Sequence, residues 1–123
     1  MKRRNEYELP QAIQEWGCKF HHIGIPTNEK KMNEDYLEKF KFSVSGFSES
    51  PFGVEWMRFE NDCKMPDLIK NIPHLAFVVD DLDFELKTRN FKILIEPNPP
   101  MEGIRVAMIE HNGAPVELME FKK

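Results

Sequence analysis

The sequence predicts an α+β fold made of two related β-α-β-β-β modules, and three observations indicate it. The chain has 123 residues, the size of one domain, and its 41% hydrophobic content is enough for a core without disulfides. Strand and helix patterns alternate in a similar order in the two halves. Two short motifs also recur at matched places in the two halves.

The domain organisation follows from where these patterns begin. Residues 1–18 are expected to form an N-terminal extension with a short helix, which opens at Leu9-Pro10 and ends at Gly17. Residues 19–122 are expected to form a single domain. Its parts are a first module, a connector and a second module: residues 19–60, 61–72 and 73–122.

The first module begins with a strand at 20–25, which stops at Pro26. A helix is predicted next from apolar residues at helical spacing: Met32, Tyr36, Leu37 and Phe40. Short strands follow at 42–45 and 54–59. The module therefore contains one strand fewer than the second.

The second module contains a strand at 73–79 and a helix that Asp80 or Asp81 caps and that extends to Thr88. The three remaining strands are predicted at 91–96, 103–109 and 116–121. Pro97–Pro100 is expected to be a loop, and the Asn-Gly pair within 111–114 predicts a hairpin turn. This half reads as β-α-β-β-β.

The internal repeat carries the functional information. His22-Ile23-Gly24 aligns with His74-Leu75-Ala76, and 54–59 aligns with 116–121, where four of six residues are identical. The interval from histidine to glutamate is 33 residues in the first half and 43 in the second. Ten residues correspond to a strand with its turn, so the first module is predicted to have a shortened or deleted third strand.

Strand alternation places His22 and His74 on faces with small neighbours, and Glu55 and Glu117 on faces of Met and Phe. A single strand histidine is usually structural, and a single glutamate is usually solvated. Their duplication instead favours a metal site, because unpaired buried carboxylates and imidazoles both require a cation. Such ligands suit Zn, Ni, Co, Mn or Fe(II). His21 and His111 lack repeat counterparts and are interpreted as surface or rim residues.

A cleft beside this site is expected to bind a small-molecule substrate. The side chains expected to face it lie on the strands of the repeat and on the strand before the last: Met57, Phe59, Arg105, Met119 and Phe121. Arg105 would hold a substrate carboxylate there, although an exposed position is equally compatible with its pattern.

The segments His21–Ile25, Pro73–Asp81 and Gly113–Phe121 resemble the vicinal oxygen chelate superfamily, which includes glyoxalases, bleomycin-resistance proteins and extradiol dioxygenases. The resemblance implies an open half-barrel with a metal in its cleft, and usually a homodimer. It implies that His22, His74 and Glu117 are ligands. If 54–59 corresponds to the third strand of its module, Glu55 is not a ligand, and the two-His, one-carboxylate set typical of Fe(II) oxygen chemistry remains.

The leading functional hypothesis is a metal-dependent isomerase or lyase that chelates the neighbouring oxygens of a small α-hydroxy or α-keto compound. Glu117 or Glu55 would transfer the proton next to the carbonyl. An Fe(II) extradiol-type dioxygenase is one alternative, and a metal-free small-molecule binding or resistance protein is another.

Charge and composition exclude other classes of partner. The net charge of −4 offers no basic surface for nucleic acid or anionic membranes, and the apolar runs are too short to span a bilayer. The first residues do not resemble a secretory signal, and the two cysteines have no metal-binding spacing. We therefore expect a cytoplasmic protein.

Overall fold

The computed structural model describes residues 8–122, in which eight strands form one curled, half-barrel sheet. The strands are β1 (Lys19–Pro26), β2 (Asp35–Leu37), β3 (Phe42–Ser45), β4 (Val54–Phe59), β5 (His74–Val78), β6 (Lys92–Met101), β7 (Ile104–His111) and β8 (Ala114–Phe121). The helices are short: α1 (Gln11–Gln14), α2 (Asp67–Asn71), α3 (Leu82–Thr88) and a 3-10 turn at Phe47–Glu49. The predicted α+β class is confirmed.

The strand order is β2-β3-β4-β1-β5-β8-β7-β6, so each module occupies one half of the sheet. The first strands of the two modules, β1 and β5, meet antiparallel at the centre. Each runs parallel to the last strand of its own module, β4 or β8. The two halves are therefore related by an approximate twofold axis between β1 and β5.

One face of the sheet carries the main hydrophobic core. Residues of β5, β7 and β8 pack there against α1 and α3: Cys18, Phe77, Val79, Leu82, Ala107, Ile109 and Leu118, with Ala12, Ile13, Trp16 and Leu86 partly buried beside them. The side chain of Asp81 caps α3 by accepting a hydrogen bond from the Phe84 N–H. The opposite, concave face is left free for a site.

The predicted N-terminal helix is present as α1, and Trp16 lies just after it. The indole packs against Phe91 at a ring distance of 6.0 Å, and the Arg89 guanidinium lies 4.1 Å above it. Trp16 thus covers the helix side of the core. In the described part of the chain, no helix has the length and apolar composition needed to cross a bilayer.

The predicted helix in the first module is absent, and this prediction was wrong. Residues 27–41 form turns and the three-residue strand β2, with Asn33 and Lys41 at positive φ. Two of the apolar residues that suggested a helix, Met32 and Tyr36, are exposed, whereas Leu37 and Phe40 face the concave side. The first module has four strands, like the second, so the expectation of one strand fewer was wrong. It is shorter because the helix is absent and because β2 and β3 have three and four residues where β6 and β7 have ten and eight.

The predicted loop at Pro97–Pro100 is instead part of β6. This strand is at the edge of the sheet, where a proline removes no hydrogen bond that a neighbouring strand needs. Its pairing with β7 shifts register between Ile95 and Asn98 and again between Asn98 and Met101. The prolines therefore produce an irregular edge strand along the concave face.

Candidate metal centre

His22, His74 and Glu117 come together at the centre of the concave face. Each offers one ligand atom, and these three atoms lie within 4.8 Å of one another. Glu117 Oε1 is 3.0 Å from His74 Nε2 and 3.5 Å from His22 Nε2. Both imidazoles are almost fully buried, and the Glu117 side chain is 16% exposed. The His-His-Glu group is consistent with a divalent metal site.

Strand register explains why these side chains converge. His22 on β1 pairs with Ala76 on β5, and Gly24 on β1 pairs with His74 on β5. Ala76 in turn lies beside Glu117 on β8. Each histidine therefore faces a small residue across the central strand pair, and this leaves room for both rings, whose centroids are 5.5 Å apart.

Gly24 makes the closest of these approaches. A Cβ atom at this position would lie 2.1 Å from Cε1 and 2.6 Å from Nδ1 of His74. No side chain larger than hydrogen fits unless the ring moves. Gly24, two positions after His22, thus lets the ring of His74 pack directly against the backbone of β1.

Glu55 occupies the position in the first module that Glu117 occupies in the second. It lies beside Gly24, as Glu117 lies beside Ala76. Its Oε1 is 3.6 Å from His22 Nε2, but it is outside the group of three converging ligand atoms. The repeat alignment of β4 with β8 is therefore confirmed. Of the two equivalent glutamates, however, only Glu117 belongs to the group of converging ligand atoms.

The electrostatics also distinguish the two glutamates. Burial alone would raise the pKa of Glu117, but its close contacts with His22 and His74, one of them the hydrogen bond with His74 Nε2, hold that pKa well below its ordinary range. Burial raises the pKa of Glu55, and the charge of Glu117 adds to the effect, despite the attraction of the histidines. Glu117 therefore stays ionised to lower pH, whereas Glu55, with the higher pKa, is the better proton acceptor.

The histidines retain buried nitrogens with unmet bonding capacity. His22 Nε2 and His74 Nδ1 are buried and have no hydrogen-bond partner among residues 8–122. Burial alone would lower the pKa of His22, but the carboxylates of Glu117 and Glu55 raise it above its ordinary value. A divalent ion would satisfy the His22 nitrogen and the neighbouring carboxylates, so the residues present fit such a group.

A cavity of about 180 Å³ opens beside the three ligands. Apart from His22, His74, Glu55, Glu117 and Asn98, its walls are apolar. They come from both modules and from the connector: Leu37, Phe40, Phe42, Val44, Met57, Met65, Ile69, Ile95, Pro100, Met101, Ile104, Val106, Met108 and Met119. Within residues 8–122, no lysine or arginine lines it.

Of the predicted cleft residues, Met57 and Met119 line this cavity, whereas Arg105 does not. Arg105 lies on the opposite face of β7, the face of Ala107 and Ile109, and forms ion pairs with Asp83 and Glu120. The alternation along the strand was predicted correctly, but the side assigned to the cleft was wrong.

Phe59 and Phe121 share a face with Glu55 and Glu117 but lie beyond the cavity, at the strand ends. Phe59 packs against Phe42 at a ring distance of 5.4 Å. Phe121 is 38% exposed and lies near His21. Strand alternation gives the face of a residue but not the length of a cavity, and this explains both errors.

Three contributors to the site were not predicted. Asn98 lines the cavity from β6, Ile69 enters from α2, and His21 contacts His22. The sequence offered no signal for Asn98, which stands between prolines in a segment interpreted as a loop. The adjacent histidines at 21 and 22 were visible, but strand alternation places them on opposite faces, and a β-bulge changes this.

By sequence, the chain matches no protein-family profile and no curated protein. By structure, it is similar to a hypothetical protein from Bacillus halodurans, with a TM-score of 0.64 and 19% identity over 86% of this chain and 96% of the other. It is also similar to methylmalonyl-CoA epimerase from Mycobacterium tuberculosis, with a TM-score of 0.60 and 17% identity over 85% and 89% of the two chains. These likenesses confirm the predicted fold, an open half-barrel built from two related modules.

Proposed function

We propose that this protein is a divalent-metal-dependent isomerase or lyase that acts on a small compound with a hydroxyl or carbonyl group next to a carbonyl. The observation that carries the proposal is the convergence of His22, His74 and Glu117 beside a small, mostly apolar cavity. These three residues would hold the ion. When bound, a divalent ion supplies Lewis-acid stabilisation of the negative charge that develops on a carbonyl compound.

Glu55 is the proposed base. It lines the cavity, and its side chain is only 21% exposed to solvent. It lies outside the group of three ligand residues. Its pKa is raised by burial and by the charge of Glu117, which suits a carboxylate that accepts a proton and returns it. Glu117, whose pKa is lowered, is proposed to remain an anionic ligand.

Asn98 supports a substrate that carries a hydroxyl group. Its Nδ2 donates to the carbonyl oxygens of Glu96 at 3.0 Å and Val106 at 3.4 Å. Only the amide nitrogen can donate, so these contacts fix the amide orientation. Oδ1 is left buried, without a partner in the described part of the chain, and is the acceptor that a substrate hydroxyl would use.

The walls also constrain the charge of the substrate. They contain several methionines, which adapt to apolar groups of irregular shape, and they contain no cationic side chain from residues 8–122. We infer that the substrate portion away from the ion is small, apolar and uncharged. The likeness to an epimerase favours proton transfer as the reaction class.

The experiment that tests the reaction uses protein loaded with Zn²⁺, Ni²⁺, Co²⁺ or Mn²⁺. Uncharged α-hydroxy ketones are incubated with it in deuterated water, and exchange of the carbon-bound proton is followed by NMR. We expect metal-dependent exchange, which the Glu55→Gln variant loses. If none of these compounds exchanges a proton with any of the ions, the proposed reaction class is wrong.

A ring-cleaving dioxygenase is the second candidate, and the group of two histidines and one carboxylate favours it, because this ligand set is typical of Fe(II) oxygen chemistry. Anaerobic loading with Fe²⁺, followed by measurement of oxygen uptake with catechols, tests it.

A metal-free binding protein is the alternative that is not an enzyme. Tight binding of an aromatic ligand without any effect of metal would favour that alternative.

We also propose that the protein is a homodimer, on the basis of its fold. Aromatic side chains on its surface support an association: Phe20, Phe47 and Phe52 are 46%, 38% and 78% exposed. Sedimentation equilibrium at micromolar concentration tests this, and a monomer would contradict it.

A further inference from the structure

A β-bulge turns His21 towards His22. The pairing of β1 with β5 shifts register between Phe20 and His22, so His21 is the extra residue. Its Nδ1 consequently lies 2.7 Å from the Nδ1 of His22. Two imidazole nitrogens at this distance must share a proton, one as donor and the other as acceptor.

Two neighbours hold His21 in this position. Its ring stacks on Phe47, with 4.9 Å between ring centroids and an interplanar angle of 4°. Behind it, the positive-φ residue Gly53 lies against β1, where a Cβ atom would be 2.8 Å from the His21 carbonyl oxygen. The Gly53 carbonyl accepts a hydrogen bond from Ile23 N at 2.8 Å, so the bulged backbone is tied to the start of β4.

We propose that His21 is a positioning residue for the metal centre: it accepts the Nδ1 proton of His22 and so presents the free Nε2 lone pair of His22 to the ion. This inference rests on the proposed metal site. A neutral imidazole that binds an ion through Nε2 carries its proton on Nδ1. His21 supplies an acceptor for that proton, the part that a carboxylate or a backbone carbonyl plays at most metal-bound histidines.

The tautomer of His21 follows from this geometry. A neutral imidazole carries one ring proton, so when Nδ1 of His21 accepts the hydrogen bond, the proton of the His21 ring is on Nε2.

Two variants separate the hydrogen bond from packing. His21→Phe keeps a ring that can stack on Phe47 but has no nitrogen. His21→Asn has an oxygen near the place of Nδ1 and restores an acceptor. We expect the dissociation constant for Zn²⁺, measured by competition with a chromophoric chelator, to rise about 10- to 100-fold in His21→Phe and to recover most of that loss in His21→Asn.

Thermal unfolding of the metal-free variants shows whether each is folded. Long-range ¹H–¹⁵N NMR of the Zn²⁺-loaded wild-type protein gives a test that needs no variant: His21 should be protonated on Nε2 and His22 on Nδ1. A His21 found with its proton on Nδ1, or a folded His21→Phe variant with wild-type affinity, would overturn the inference alone. Wild-type protein that binds no metal would instead overturn the proposed function on which it rests.

Discussion

The imidazole of His74 lies directly over the backbone of Gly24, its partner across the central pair of strands. The corresponding pair on the other side of the approximate twofold axis is His22 with Ala76. The site is therefore built from two histidines, each accommodated by a small residue of the other module. Substituting these small residues tests the arrangement without removing a ligand.

Gly24→Ala should displace His74, because the new methyl group would lie 2.1 Å from the ring. We expect metal affinity to fall at least about tenfold, as when a ligand loses its support, and the free energy of unfolding to fall by about 1–3 kcal/mol from overpacking. Isothermal titration and urea unfolding measure the two effects. Ala76→Gly is the matched control: it should cost about 0.5–1 kcal/mol of stability while metal binding persists. Equal affinities of Gly24→Ala and wild type would contradict the geometry.

Replacing Glu55 or Glu117 by glutamine should produce two different defects. Glu117 belongs to the converging ligand group and Glu55 does not. Glu117→Gln should therefore abolish tight metal binding. Glu55→Gln should retain the metal and lose turnover by about 10²- to 10⁴-fold, the usual contribution of a general base. If both variants lose the metal equally, Glu55 is a fourth ligand and the assignment of the base is wrong.

Metal affinity should fall as the pH is lowered, because protons compete with the ion for the histidine ligands. The pKa of His22 is above its ordinary value of about 6.5, so the loss should begin at a higher pH than for an unperturbed histidine. Competition titrations across the neutral and mildly acidic range measure it. His111, exposed at the end of β7, gives the control His111→Gln, which should leave the profile unchanged. Affinity independent of pH would exclude histidine ligands.

A second pH effect concerns stability away from the site. Arg58 donates from Nε and Nη2 to the two carboxylate oxygens of Glu34, each at 2.8 Å. These hydrogen bonds lower the pKa of Glu34 to about 2, from 4.5 for the free side chain. Because the folded state has the lower pKa, the pair contributes stability above pH 4.5 and loses it as the pH falls towards 2.

The measurement is urea unfolding of wild type and Glu34→Gln at neutral and at acidic pH. The variant should be less stable at neutral pH, and the difference should shrink on acidification. Glu60 is a suitable control, since it lies 3.9 Å from the Arg58 guanidinium and is 42% exposed. Glu60→Gln should have little effect at either pH. A constant difference between wild type and Glu34→Gln would argue against the ion pair.

The sequence predicted the parts of the fold that depend on repetition. His22 and His74 occupy equivalent strand positions, and so do Glu55 and Glu117, because β4 and β8 have the same register beside β1 and β5. Alternation along strands brought these residues to one face. Duplication was therefore a stronger signal than any single motif.

Other features depend on contacts between distant segments and could not be read from local patterns. Leu37 and Phe40 have helical spacing, yet they point into the cavity from turns and a short strand. The bulge that reorients His21 depends on packing against Gly53 and Phe47. Arg105 lies on the face of β7 against which the helices pack, and only that packing decides which side of the strand faces away from the cavity.

Metal analysis tests the central claim most directly. Wild-type protein is purified without chelators, and its bound transition metals are measured by elemental analysis alongside those of His74→Ala. The account predicts one divalent transition-metal ion per wild-type chain and a strong loss in the variant, with both proteins folded. Wild-type protein that holds no transition metal, even after incubation with a mixture of these ions and desalting, would contradict it.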